Sequence, residues 1–145
     1  MRVPGIGAPQ AVLRAAIASL EQAGIDVEAV SRIRPSRPVG PSLRRYANAA
    51  VLVASPRDPP AMLALLQAVE ADFGRRRRGR RWRARPLDLD IVLWDRGTWQ
   101  SRDLVIPHPF FRERAFVLVP AAEVAPLWRD PLTGATLRQL AGRAA

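Results

Sequence analysis

Between Arg81 and Ile91 the chain reads Arg-Trp-Arg-Ala-Arg-Pro-Leu-Asp-Leu-Asp-Ile, its densest run of reactive side chains. Asp88 and Asp90 alternate with Leu87, Leu89 and Ile91, the period of a β-strand with one apolar and one acidic face. Residues two apart on a strand point to the same side, about 6.5–7 Å from each other. Two carboxylates so placed suit Mg²⁺, which takes one or two carboxylates and completes its shell with phosphate oxygens. The same spacing would also serve an edge strand with a solvated acidic face. Upstream, Arg75, Arg76, Arg77, Arg78, Arg80, Arg81, Arg83 and Arg85 form a cationic cluster. It fits a solvated surface run, a nucleic-acid patch or a triphosphate clamp. Guanidinium groups match phosphate bidentately, and only the clamp gives the adjoining acidic pair a purpose. Trp82 alone interleaves the cluster, which is thin for a base-stacking surface.

Other polar residues stand out singly. His108, the only histidine, sits between Pro107 and Pro109, where it is either structural or a donor to an anion. Asn48 falls in an apolar stretch, and an amide in a strand needs a partner for its side chain. Tyr46 and Phe116 are by default core aromatics. The chain has no Gly-x-x-x-x-Gly-Lys phosphate loop, no Gly-x-Gly-x-x-Gly fingerprint and no kinase-type catalytic loop.

The elements that must position these groups follow from periodicity. Residues 8–23 carry Val12, Leu13, Ala16, Ile17 and Leu20 at helical spacing, with Gly24 as a stop. Residues 25–33 and 46–54 read as strands, separated by a loop over 34–45 that Pro35, Pro38, Gly40 and Pro41 keep irregular. Asp58-Pro59-Pro60 opens a second helix, capped by Asp58 and running to about Phe73; Gly74 starts the arginine loop. The acidic strand spans 87–94. A short apolar segment follows at 104–106, then residues 116–119, a short helix near 121–124, a turn at 130–134 and a helical turn or two at 136–141. The order matches a split β-α-β-β-α-β unit, an α+β ferredoxin-like sandwich with an antiparallel sheet.

Composition sets the bounds. The 145 residues are expected to form one domain over 1–145, with 48% apolar residues for a core. All 23 basic residues are arginine, and the net charge is +10. Eight of those charges lie in the cluster, so the positive charge is local, which argues against a general nucleic-acid coat. Without cysteine there is no disulfide framework and no thiolate chemistry. No apolar run approaches the roughly 18 residues that span a membrane, and residues 1–7 lack a secretory apolar stretch, so a cytoplasmic location is expected.

Arg81-Trp82-x-x-Arg85-x-Leu87-Asp88-Leu89-Asp90-Ile91 resembles the signature of the 6-hydroxymethyl-7,8-dihydropterin pyrophosphokinases of folate biosynthesis. Val39-Gly40-Pro41, the run Tyr46 to Ala50, Gln67-x-x-Glu70, Ile106-Pro107-His108 and Arg114-x-Phe116 fall in the same order as in that family. The resemblance implies transfer of pyrophosphate from ATP to the pterin hydroxymethyl group, leaving AMP. It implies that Asp88 and Asp90 bind two Mg²⁺ ions that bridge the ATP phosphates. Arg75 and Arg85 would join them at the catalytic centre, facing phosphate. Gln67, Glu70, Arg81, Trp82, Ile91 and His108 would contact ATP, and Val39, Gly40, Tyr46, Asn48 and Phe116 the pterin. The partners implied are ATP and the pterin, with no membrane or nucleic acid, and a monomer.

Two departures are mild: Arg37 stands where the family commonly has a proline, and Pro109 where it has an aromatic. A larger one concerns the family's opening apolar strand, which ends in Gly-Ser-Asn. Residues 1–7 offer only Val3 and Ile6, interrupted by Pro4, so that first strand is expected to be missing. This expectation motivates an alternative, a truncated or inactive relative that acts only by binding. An arginine-rich RNA-binding module is a third reading.

Overall fold

The computed structural model describes residues 2–4, 10–36, 46–76 and 87–144. In chain order the elements are β1 (Arg2–Pro4), α1 (Gln10–Gln22), β2 (Asp26–Val30), β3 (Arg34–Ser36), β4 (Tyr46–Asn48), β5 (Val51–Ala54), α2 (Pro59–Arg76), β6 (Leu89–Ile91), β7 (Trp99–Gln100), β8 (Val105–Ile106), a 3-10 turn (Phe111–Glu113), α3 (Ala115–Val124) and α4 (Leu137–Ala144). Four strands form an antiparallel sheet in the order β2-β5-β1-β6. With α1 and α2 as the connecting helices, this is the α+β ferredoxin-like arrangement that the element order implies.

The sheet separates two apolar layers. On one face Leu13, Leu20, Leu66, Phe73, Leu89 and Ile91 are buried between the strands and α1 and α2. On the other, Val92, Leu93, Phe111, Leu118 and Leu137 are buried under α3 and α4. Ile91, the last residue of β6, and Val92, just beyond it, serve opposite layers. α1 stops where Gly24 takes φ +90°, while Ile25 N–H donates back to Leu20 O at 3.1 Å. Asp58 caps α2 as expected, its Oδ1 accepting from Ala61 N–H at 2.9 Å. At the head of α4, Thr136 and Gln139 exchange side-chain-to-backbone bonds of 3.1 and 2.9 Å, a capping box.

The expected absence of the first strand is corrected. β1 lies in the middle of the sheet, pairing Arg2 with Val51 on one side and Arg2, Val3 and Pro4 with Ile91, Asp90 and Leu89 on the other. Three residues suffice because strands on both sides supply ladder bonds, so tertiary pairing overrides a weak local pattern. Pro4, which has no N–H to give, ends the strand.

Further boundaries differ, and the acidic strand expected over 87–94 is β6, Leu89–Ile91, alone. Residues 34–36, placed in a loop, form β3 and pair Arg34 with Asn48, Pro35 with Ala47 and Ser36 with Tyr46. A two-stranded ribbon has open edges that tolerate a proline. The single strand expected over 46–54 is two, β4 and β5. Where they part, Ser31 N–H donates to Ala50 O at 2.9 Å and Ser31 Oγ accepts from Ala50 N–H at 2.8 Å. A hydroxyl replaces a ladder carbonyl there, and the chain changes partner. α2 runs on through Gly74, which keeps a right-handed φ. α3 is continuous through Pro120, its flank buried by Val117, Leu118 and Ala121.

Among the described residues no helix is long and apolar enough to cross a membrane.

Candidate active site

The alternation read from residues 87–91 is present in the fold: Leu87, Leu89 and Ile91 are buried, and Asp88 and Asp90 are half-buried between them. Among the described residues β6 is an edge strand of the sheet, with β1 as its only strand neighbour there. Its start is tied to α2 by Leu89 N–H, which donates to Glu70 Oε2 at 2.6 Å. That bond falls between the two aspartates, so Glu70 helps fix both.

His108 is brought to the same strand by its backbone. After the cis Ile106–Pro107 bond, His108 N–H donates to Val92 O at 3.0 Å, just beyond β6. Its Nδ1 accepts from Phe110 N–H at 3.3 Å, which leaves Nε2 to face a ligand. Asp90, Ile91 and His108 line one cleft with Leu63, Arg102 and Pro109. Gln67 lines a second, with Ser101, and the two clefts share Leu63, Asp103 and Leu104. Gln67, Asp90, Ile91 and His108, far apart in sequence, thus border one groove between α2 and the β7–β8 hairpin. Arg102 is a groove cation that sequence reasoning missed, because one arginine among 23 carries no signal of its own.

The other group of expected residues gathers around β4 and α3, which pack together. Asn48 is 2% exposed, and among the described residues its Oδ1 has no hydrogen-bond partner. Phe116, in the first turn of α3, is half-buried, with the Arg114 guanidinium 5.8 Å from its ring centroid. A buried amide oxygen without a partner costs free energy unless something bonds to it, so this atom marks a place for a ligand donor. Tyr46 lies at the start of β4, opposite Ser36. Arg75 falls in the last turn of α2. Val39, Gly40, Arg81, Trp82 and Arg85 lie outside the described residues.

Two charged anchors frame this half of the molecule. Burial pushes the Glu123 carboxyl of α3 up, but Arg32 N–H and the Arg34 and Arg32 guanidiniums outweigh it and hold it below the usual carboxylate range. The Asp130 carboxyl, fully buried, is held at about 2 by the Arg112 guanidinium first, then Thr133 Oγ1–H and Leu132 N–H.

Mg²⁺ suits the donor set at β6. Asp88, just before β6, and Asp90 within it are half-buried oxygen donors two residues apart, and among the described residues no group of three or more His, Cys, Asp or Glu could hold a metal by itself. Such a pair leaves coordination positions for phosphate, as Mg²⁺ prefers, and lacks the ligands of a structural zinc site.

Fold and site define an α+β ferredoxin-like protein with a carboxylate of its edge strand in a groove, a second carboxylate two residues before it, and a buried amide on a separate two-stranded ribbon. The model of the 7,8-dihydro-6-hydroxymethylpterin-pyrophosphokinase family matches residues 5–126, and the chain belongs to that family. It is 46% identical over 130 residues to the 2-amino-4-hydroxy-6-hydroxymethyldihydropteridine pyrophosphokinase of Synechocystis sp., covering 88% of this chain and 66% of that protein. The enzyme of the same name in Bacillus subtilis is 40% identical over 121 residues, 82% of this chain and 72% of its own length. A folate synthesis bifunctional protein of Arabidopsis thaliana is 36% identical over 112 residues, 77% of this chain but 20% of that longer protein.

Proposed function

We propose that this chain transfers the terminal pyrophosphoryl group of ATP to the hydroxymethyl oxygen of 6-hydroxymethyl-7,8-dihydropterin, forming the pterin diphosphate and AMP. The observation that carries the reading is Asp90 in one cleft with Ile91, His108 and Arg102, with Asp88 two residues before it and likewise half-buried. In the reaction the hydroxymethyl oxygen bonds to the β-phosphorus, the bond from that phosphorus to the α-phosphate oxygen breaks, and the hydroxyl proton leaves to solvent.

Each described residue has a task that needs no covalent intermediate. Asp88 and Asp90 would hold two Mg²⁺ ions, which when bound neutralise phosphate charge. His108 Nε2 and Arg102 face the same cleft and donate to phosphate oxygens. Gln67 and Ile91 border the nucleotide, and Arg75, Arg81, Trp82 and Arg85 complete its binding. Asn48 and Phe116 receive the pterin, by hydrogen bond and by stacking, together with Tyr46, Val39 and Gly40. Glu70 keeps the acidic strand in place through Leu89. Catalysis of this type is positioning plus charge neutralisation.

The reading of a truncated, binding-only relative rested on a missing first strand, and Arg2–Pro4 occupies that place. The test is direct. Mixed with ATP, Mg²⁺ and the pterin, the protein should release AMP only when the pterin is present. Asp88→Ala and Asp90→Ala should abolish release while circular dichroism stays unchanged. Pterin-independent hydrolysis by well-folded protein would sink the proposal.

A further inference from the structure

Two residues paired in the fold each carry a buried polar atom without a partner among the described residues. One is Asn48 Oδ1, an acceptor; the other is Arg34 Nη1, a donor. Arg34 and Asn48 are directly paired across the β3–β4 ribbon. Directly opposed residues of an antiparallel pair project to the same face, with Cβ atoms about 4.5–5.5 Å apart. That face looks toward α3, because Arg34 Nη2 reaches Glu123 Oε1 there at 2.7 Å. Glu123 is gripped as well by the backbone N–H of Arg32, and its Oε1 lies 3.4 Å from Arg32 Nε. The carboxylate thus fixes the guanidinium by one edge and leaves the other edge, Nη1, turned inward. Seven residues earlier on the same helix stands Phe116, two turns or about 10 Å along the axis and on the same stripe.

A buried cationic donor on β3, a buried carbonyl acceptor on β4 and a flat aromatic on α3, the helix that packs on β4, thus belong to neighbouring elements. A donor and an acceptor side by side match the lactam edge of a heterocycle, where a ring N–H adjoins a ring carbonyl. The dihydropterin has such an edge in its N3–H and C4=O. We propose that Arg34, anchored by Glu123, recognises the pterin: its Nη1–H donates to the ring carbonyl while Asn48 Oδ1 accepts from the neighbouring ring N–H. This deepens the pyrophosphokinase reading and rests on it. In consequence the pocket selects for a 4-oxo ring over a 4-amino ring, which offers a donor where Arg34 requires an acceptor.

The experiment measures dissociation constants by fluorescence titration for two ligands, 6-hydroxymethyl-7,8-dihydropterin and its 2,4-diamino analogue. Wild type, Arg34→Met and Glu123→Gln are compared, and a non-hydrolysable ATP analogue is titrated alongside. Arg34→Met should weaken pterin binding by about 10- to 100-fold, the size of a lost charge-assisted bond. It should also narrow the preference for the oxo ring by about tenfold or more and leave ATP-analogue affinity unchanged. Glu123→Gln keeps the guanidinium but loosens its anchor, and should move the same two quantities the same way by a smaller factor; it also decides the matter if Arg34→Met fails to fold. A preference for the oxo ring that is the same in wild type and both variants would overturn the role of Arg34, whatever happens to overall affinity. Wild-type protein that binds neither pterin removes the pyrophosphokinase reading, and this proposal with it.

Discussion

Replacing Glu70 separates positioning from ligand contact at the acidic strand. Glu70 Oε2 takes the Leu89 N–H at 2.6 Å, and Leu89 is only 5% exposed, so water cannot stand in for the lost acceptor. A hydrogen bond to a charged group contributes about 1.5–3 kcal/mol, and a buried N–H left without a partner keeps its desolvation penalty. Glu70→Ala should therefore lose about 2 kcal/mol. For a domain of this length, that lowers Tm by about 6–8 °C. Glu70→Gln retains an acceptor oxygen and should lose about half as much. Because Leu89 sits between Asp88 and Asp90, the same change should cut the rate of AMP formation at saturating ATP by about tenfold or more, since small misplacements at a reacting centre are expensive. Thermal unfolding followed at 222 nm and a coupled AMP assay supply both numbers. An alanine variant with wild-type Tm and a raised KM for ATP alone would refute the reasoning, and would make Glu70 a nucleotide contact with no hold on β6.

Asp130 gives a pH signature. Its folded value of about 2 lies below the ordinary 3.8, so its ionised form stabilises the fold. The contribution, about 2–3 kcal/mol, is complete above pH 5 and is lost as pH falls through 4 toward 2. Asp130→Asn should be less stable than wild type at pH 7 by about that amount, with the gap closing by pH 2 in urea titrations; a gap independent of pH would exclude the carboxylate as its source. At the start of α2, Asp58→Ala removes the cap on Ala61 N–H and should cost about 1 kcal/mol, seen as a Tm lower by about 3–4 °C with AMP formation little changed.

What could be read in advance depended on how much of each feature was local. The acidic strand was legible because five successive residues, Leu87 to Ile91, carry the full alternation. The start of α2 was legible because Asp58-Pro59-Pro60 states a cap and a first turn without outside help. β1 was not, because one valine before a proline has no period; its strand state comes from β5 and β6, which lie some 50 and 90 positions further along the chain. The pairing of Arg34 with Asn48 was hidden by Pro35, which signals loop unless the ribbon edge it occupies is known. Glu123 gave no signal, being one acid in an otherwise apolar helix, and its meaning depends on the guanidinium delivered by β3. Asn48 was noticed for the right reason, an amide in a strand, and the fold leaves its oxygen buried and in need of a donor.

The position of β1 has a consequence for the metal-binding pair that no side chain states. Whether Leu87, Leu89 and Ile91 or the two carboxylates are buried is a matter of phase, and phase on a strand has only two values. A slip of one residue would turn both carboxylates into the apolar layer and push Leu87, Leu89 and Ile91 outward. Within the sheet, that phase is set by three pairings with residues 2–4. A strand of three residues therefore acts as the ruler against which the carboxylates are aligned, and the chemistry of residue 90 is calibrated at residue 3.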